Sequence, residues 1–266
     1  MKSLRRLFTS PKPRSAPRPG PTPGFRGGMP KPEEAFVAIG DIHGCADNLD
    51  RLWEKIDAMV PGMPVVHVGD YVDRGEHSAQ VLKMLFDRQR ERGDIACLMG
   101  NHEEMFLEFL DKPEKSGERW LRYGGLQTVA SFGPAGDAYG RKDIFSLRDA
   151  VIESLGQEQL DWLRGLPLVW SSGNMSVVHA GADPRMPLDE QPERNLTWGH
   201  QDFGHLPRRD GLWIVHGHTI VQVPQMANGV ISIDTGAYAT DRLTAAIIRP
   251  EREVEFIQAT SGQPPR

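Results

Sequence analysis

Five polar residues recur at one kind of place in this 266-residue chain. Asp41, Asp70, Asn101, His179 and His218 each stand just past a short apolar run rich in β-branched residues. Runs of that kind read as strands, and the carboxyl ends of strands in an open α/β sheet are where ligands bind. Such ends bring two carboxylates, an amide and imidazoles to one rim. His43 follows Asp41 by two residues, and in extended backbone such a pair projects to one side. The set offers oxygen and nitrogen donors and no thiolate, which suits Mn²⁺, Fe or Zn²⁺ better than a soft metal. An Asp shared by two such ions would hold them about 3.5–4 Å apart, the arrangement used for in-line attack at phosphorus.

The elements that must carry these residues follow from periodicity. Phe36 to Ile39 runs into Gly40-Asp41-Ile42-His43-Gly44; Leu49, Leu52, Trp53 and Ile56 then repeat at i, i+3, i+4 and i+7, an amphipathic helix. Val65 to Val68 runs into Gly69-Asp70, and a helix follows with Val81, Leu82, Leu85 and Phe86 on one face. Ile95 to Met99 runs into Gly100-Asn101-His102-Glu103 and a helix through Met105, Phe106, Phe109 and Leu110. Three strand–loop–helix units in a row imply a largely parallel sheet with helices against it. Residues 111–166 read as helical and loop-rich, with one helix marked by Leu147, Val151, Ile152 and Leu155 and a shorter one by Leu160 and Leu163. Further on, two short runs, 168–170 and 175–178, flank a hairpin turn over Ser171 to Asn174. The stretches 212–215, 230–233, 243–248 and 253–257 read as further strands. The expected class is α/β, one domain in which two sheets pack face to face.

Composition bounds the chemistry. Hydrophobic residues are 39% and charged residues 25%, an ordinary globular balance. The net charge of −5 hides an asymmetry: the first 32 residues hold 8 of the 31 basic residues and no acid, leaving residues 33–266 at −13. The Pro-, Gly-, Ser- and Arg-rich start reads as a disordered basic tail over residues 1–32, and 33–260 as the catalytic domain. An acidic body suits a holder of cations and offers a poor surface to nucleic acid. Two cysteines, Cys45 and Cys97, exclude a disulfide framework and read as small buried hydrophobes. The absence of a secretory h-region, a membrane-spanning run and a cysteine pairing pattern places the expectation in the cytoplasm.

Gly40-Asp41-Ile42-His43-Gly44, Gly69-Asp70-Tyr71-Val72-Asp73-Arg74-Gly75, Gly100-Asn101-His102-Glu103, His179-Ala180-Gly181 and Gly217-His218-Thr219 occur in that order. Together they resemble the five signature blocks of the calcineurin-like metallophosphoesterases, and more narrowly the bacterial and phage phosphoprotein phosphatases. The resemblance runs from about residue 35 to about residue 250. It implies a four-layer sandwich of two mixed sheets flanked by helices, and two divalent metals per chain, Mn²⁺ first with Fe or Zn²⁺ as alternatives. Asp41, His43 and the bridging Asp70 would hold one metal; Asn101, His179 and His218 would complete the other. Arg74 and Asn101 would bind phosphate. His102 would protonate the leaving group, with Asp73 hydrogen-bonded to its ring, and a metal-bridging hydroxide would attack phosphorus directly.

Two departures from that pattern stand out. The block after His179 usually ends in a phosphate-binding Arg, and the matching stretch Leu196-Thr197-Trp198-Gly199-His200 carries His200 instead. His200 would then bind phosphate as imidazolium, or Arg208 or Arg209 would reach in. The extra metal His of other metallophosphoesterases falls at Ile220, so His218 is taken as ligand and His216 as support behind it. Several residues have plainer readings: His67 as a core histidine, Trp120, Trp162 and Trp213 as core, and Glu103 as a carboxylate facing a helix dipole. Tyr238 lies within reach of the rim from the loop after Asp234-Thr235-Gly236, although a position outside the site is the plainer reading.

The resulting expectation is a serine/threonine protein phosphatase acting on a phosphoprotein or a small phosphorylated substrate. Its competitors are a symmetrical dinucleoside tetraphosphate hydrolase on the same scaffold and a non-catalytic metal-binding interaction module. Glu103, where the tetraphosphate hydrolases tend to carry Asp, and the full Gly69-to-Gly75 block favour the phosphatase on this reading. Specificity would reside in the loops over residues 111–146 and 182–211.

Overall fold

Every residue of the first strand, β1 (Phe36–Ile39), is buried, and its side chains alternate between two cores. Val37 and Ile39 join the core on the helical side, while Phe36 and Ala38 join one shared with strands of a second sheet. This is how a strand covered on both faces reads, as an unbroken apolar run. The structure is a computed structural model that describes residues 24–133 and 143–262.

The parallel pairs are β1 with β2 (Val65–His67) and β2 with β3 (Ile95–Cys97). Helices α1 (Ala46–Met59) and α2 (Ser78–Glu91) make the two crossovers, and α3 (Asn101–Asp111) follows β3 directly. Leu49, Leu52, Trp53 and Ile56 of α1 and Val81, Leu82 and Leu85 of α2 are all buried against the sheet, as their spacing requires. On the other side of β1 lie β9 (Leu243–Ile248) and then β10 (Glu255–Ala259), both antiparallel to their neighbours. The first sheet therefore has the order β10-β9-β1-β2-β3 and is mixed rather than largely parallel.

The second sheet has the order β4-β5-β6-β8-β7. Its hairpin joins β4 (Val169–Ser172) to β5 (Met175–Val178) through two residues, Gly173 and Asn174, a tighter turn than the sequence suggests. β6 (Trp213–His216) and β8 (Val230–Ser232) extend it in parallel. The edge strand β7 (Gln225–Ala227) is exposed along its whole length, so it carries no apolar signature to read. Met175, Val177, Trp213, Val215 and Ile231 meet Phe36, Ala38, Val66 and Ile248 between the sheets. The α/β class with two packed mixed sheets flanked by helices is thus the observed one.

The helical middle consists of α4 (Pro113–Trp120), a π-helical turn (Leu121–Gly125), α5 (Leu126–Ser131), α6 (Ile144–Leu155) and α7 (Gln157–Arg164). Two short helices, α8 (Glu193–Trp198) and α9 (Ala237–Thr240), lie in loops at the carboxyl ends of strands. The expected tail over residues 1–23 lies outside the described residues, as does 134–142 of the expected specificity loops. Residues 24–32, expected in that tail, are instead packed on the second sheet. Phe25 sits edge-on to Trp213 with 4.7 Å between ring centroids, and Trp213 Nε1 donates to the Gly28 carbonyl. Two apolar rings with a satisfied indole N–H hold this segment where composition alone suggests disorder. Among the described residues no helix is long and apolar enough to cross a membrane.

Candidate metal centre

The strand ends do converge. Asp41 and His43 follow β1, Asp70 follows β2, Asn101 opens α3 after β3, His179 follows β5 and His218 follows β6. All but His218 are fully buried, and His218 is half-buried. The backbone there is forced into a region that L-residues avoid: φ is positive at His43, Asp70, Asp73, Arg74 and His218. Each such residue costs on the order of 1–3 kcal/mol, a strain held in place only where surrounding contacts over-determine the loop.

Those contacts are visible. Glu103 is fully buried and accepts four backbone N–H groups, from Asp70 (2.8 Å), Tyr71 (2.8 Å), Val72 (3.2 Å) and Gly100 (3.1 Å). It does more than face a dipole: it ties the strained loop after β2 to the start of α3. Burial, with Asp70 nearby, pushes its carboxyl upward, while the N–H groups of Tyr71 and Val72 pull it back toward the charged form. Close approach also demands glycine. A Cβ on Gly217 would sit 1.8 Å from Asp41 Oδ1, and one on Gly100 would sit 2.3 Å from Asp70 Oδ1.

Two clusters of ligand atoms result, His43 with Asp70 and His102, and Asp70 with His179 and His218. Within each, the atoms lie within 4.8 Å of one another, and Asp70 belongs to both. Asp70 Oδ2 is 3.4 Å from His43 Nε2, and Oδ1 is 3.3 Å from His179 Nε2. His43 Nδ1 lies 2.7 Å from the Val72 carbonyl and His179 Nδ1 lies 3.1 Å from the Val68 carbonyl. A ring that gives its Nδ1–H to a carbonyl presents Nε2 as a ligand. Asn101 Oδ1 lies 3.0 Å from His179 Nε2 and 2.8 Å from His218 Nδ1. Asp41 Oδ2 accepts the His218 N–H at 2.9 Å, while its Oδ1 is buried without a hydrogen-bond partner among the described residues.

Electrostatics point the same way. Burial, and then Asp234 and Asp70, drive the Asp41 carboxyl well above its ordinary value. Asp70 is held below the ordinary range because His179, His102 and His43 outweigh its burial. Burial lowers His43 to about 3 and His179 to about 4, and lowers His218 as well. These rings are neutral at pH 7, the form that binds metal. An orphaned buried carboxylate oxygen, crowded acids and neutral imidazoles together fit divalent cations, and the cluster is a divalent-metal site.

Beside it lies a second constellation. His102 Nδ1 is 2.6 Å from Asp73 Oδ2, and both groups are buried. Burial alone would lower the His102 pKa; Asp70 and Asp73 outweigh it and the net shift is upward. Trp120 Nε1 and Thr128 Oγ1 also donate to Asp73, at 3.0 Å and 2.7 Å. Arg74 donates to His43 Nε2 at 2.9 Å and to His102 Nε2 at 3.0 Å, with its guanidinium carbon 4.9 Å from the centre of the Tyr238 ring. Tyr238, whose plainer reading lay outside the site, is therefore part of it, and its ring also meets His43 edge-on.

Other expectations fail or change. His200, expected to bind phosphate, is engaged elsewhere: its Nε2 is 3.7 Å from Asp183 Oδ2, and its Nδ1 accepts the Asp202 N–H at 3.2 Å. It makes no hydrogen bond to Arg74 or to the metal cluster among the described residues. Arg208 is buried and held by Asp210 and the carbonyls of Asp183 and Met186, so it has no reach. His216 sits behind the site, bonded to Ser232 Oγ, and is not in either ligand cluster. His67 is a core histidine accepting from Trp53 Nε1, as read.

Sequence reasoning missed the roles of Trp120, Thr128 and Asp234. Asp234 follows β8 and is buried beside Asp41; burial raises it to about 6. The strand-end rule that found the other residues applies to it equally. Trp120 and Thr128 lie 47 and 55 residues from Asp73, with no local signal.

A calcineurin-like phosphoesterase family model matches residues 35–222. The bis(5'-nucleosyl)-tetraphosphatase (asymmetrical) of Oceanobacillus iheyensis is 28% identical over 252 residues, covering 85% of this chain and 92% of that protein. Its namesake from Bacillus subtilis is 27% identical over 254 residues, covering 86% and 96%. Among solved structures, a "putative diadenosine tetraphosphatase" superposes with a TM-score of 0.61 at 21% identity, over 90% of this chain and all of that one. A protein serine/threonine phosphatase from Saccharomyces cerevisiae superposes at 0.55 with 18% identity, over 88% of this chain and 82% of that one. At those identities the structures speak for the fold alone.

The expectation of a serine/threonine protein phosphatase is overturned by the curated relatives, which match over most of their length and are named for nucleoside tetraphosphates. The feature that misled was Glu103. Its carboxylate is spent on backbone N–H groups and does not face the site, so Glu or Asp there says nothing direct about substrate. The non-catalytic alternative falls too, because the chain is a metal-dependent phosphoric ester hydrolase. It belongs to the calcineurin-like phosphoesterase family.

Proposed function

We propose that this protein hydrolyses bis(5'-nucleosyl) tetraphosphates asymmetrically, cutting a phosphoanhydride bond with water and forming no phosphoenzyme. The observation that carries the reading is the match, over 85% of the chain, to relatives named for that reaction. The sequence offers tetraphosphate hydrolysis as its alternative, in the symmetrical form; the relatives' names favour the asymmetrical cut.

On this reading Asp41, His43, Asp70, Asn101, His179 and His218 hold two divalent cations, with Asp70 shared between them. Mn²⁺ suits a donor set of oxygens and imidazoles without thiolate. When bound, such a pair supplies a water of lowered pKa and polarises a phosphoryl oxygen. Arg74 clamps the phosphate under attack, since its guanidinium stays charged and matches phosphate geometry. His102 delivers a proton to the departing oxygen, and Asp73 holds that ring upright and favours its charged form. Trp120 and Thr128 fix Asp73 in turn. A nucleotide substrate accords with a cytoplasmic location.

The test is turnover by the Mn²⁺-loaded protein of diadenosine tetraphosphate and of a phosphoserine peptide. A large excess of kcat/KM for the dinucleotide is expected. An excess for the peptide would overturn the reading.

A further inference from the structure

Next to Arg74 opens a cavity of about 590 Å³, a volume suited to a small ligand. Arg74 and Tyr238 line its inner end, where both touch the metal cluster. The other Asp, Glu, Lys and Arg residues of the lining are all carboxylates: Asp47, Glu76 and Asp241. Gln127 adds an exposed amide. Asp241 already accepts from Asn48 Nδ2 and the Ser261 N–H, so the lining is cationic at Arg74, where it meets the metal cluster, and carries Asp47 and Glu76 as its other acids.

A polyphosphate chain cannot run along such a wall, because its charges would face acids. An uncharged group rich in O–H and N–H donors can: ribose hydroxyls suit carboxylate acceptors, and a base suits an amide and an aromatic ring. Among the described residues the lining holds no Lys and no second Arg to grip a further phosphate, and His77 lies beside Glu76. A nucleoside seated beside Arg74 is joined directly to the phosphate that Arg74 holds.

We infer that this cavity seats the nucleoside attached to the phosphate under attack, and that Asp47 and Gln127 select for it. The inference rests on the tetraphosphatase reading and adds where the bond breaks. Water's oxygen bonds to the phosphorus next to the seated nucleoside. The bond from that phosphorus to its bridging oxygen breaks, the electron pair leaves with that oxygen, and His102 supplies its proton while water's surplus proton passes to solvent. Diadenosine tetraphosphate and water thus give AMP and ATP, with the new oxygen in AMP.

Two measurements test this. Hydrolysis of diadenosine tetraphosphate in ¹⁸O-water should place the label in AMP and not in ATP. Asp47→Asn and Gln127→Ala should each raise KM for the dinucleotide and Ki for AMP about tenfold, the loss expected for one good hydrogen bond. Ki for inorganic phosphate should stay unchanged in both. Label in ATP, or unchanged dinucleotide KM and AMP Ki in both variants, overturns the inference while leaving the tetraphosphatase reading intact. ADP as the sole product overturns the asymmetrical cut and the inference with it. Failure of the wild-type protein to cleave the dinucleotide at all overturns both.

Discussion

Asp73 Oδ2 stands 2.6 Å from His102 Nδ1, and Trp120 and Thr128 each donate to the same carboxylate from a distant stretch of chain. The carboxylate is buried and held by groups that cannot follow solvent. The His102 ring is consequently fixed on one side by Asp73 and on the other by Arg74.

His102 also falls within one of the two ligand clusters, so its role as acid is separable from a role as ligand by experiment. His102→Ala is expected to slow turnover roughly 10²–10⁴-fold, the usual contribution of general acid catalysis, while keeping its metal. Asp70→Asn is expected to lose metal, because Asp70 is common to both clusters. Elemental analysis of the two purified variants decides. Equal metal loss in both would reassign His102 to the ligands.

Gly217→Ala puts a methyl group where Asp41 Oδ1 now lies. Asp41 must move, and with it a carboxylate that has no other partner at that oxygen. Mn²⁺ affinity should fall roughly 10–100-fold, the range seen when a supporting contact to a ligand is lost. Calorimetric titration with Mn²⁺ measures this. Unaltered affinity would show that Asp41 is not a ligand.

Glu103→Gln replaces an acceptor of four N–H groups by an amide whose own N–H must face some of them. Unfolding in urea should reveal a loss of about 2–4 kcal/mol, the cost of leaving buried donors unmet. The ratio of kcat/KM for dinucleotide over phosphopeptide should not move in the folded fraction. A changed ratio would mean that this position reads substrate after all.

His67 lies deep in the core, accepts from Trp53, and is lowered by burial to about 3. The folded state therefore excludes a proton that the unfolded chain binds below its ordinary value near 6.5. Its contribution to stability is complete above that value and declines as pH falls toward about 3. At pH 5 the loss attributable to this residue is on the order of 2 kcal/mol. His67→Gln keeps an acceptor for the indole and removes the titration. Urea unfolding of both proteins at pH 7.5 and pH 5 should show a smaller acid loss in the variant; identical losses would refute the assignment.

The parts of this protein that obey local rules are legible in its residues alone. Short apolar runs and i, i+3, i+4, i+7 spacing set the strands and helices, and the strand ends then named Asp41, His43, Asp70, Asn101, His179 and His218. Their convergence was legible because a parallel sheet places successive strand ends on one edge. Strand β7 was not, since an exposed edge strand needs no apolar face. Nor was the packing of residues 24–32, which depends on Phe25 finding Trp213 across the fold. That Trp120 and Thr128 serve Asp73, that Glu103 binds backbone rather than reporting on substrate, and that His200 turns to Asp183 emerge from the packing of the folded chain. Those are contacts between residues far apart in the chain, made by loops whose shape no local periodicity encodes. Residue type says what a side chain can do, but its neighbours in space fix which of those things it does.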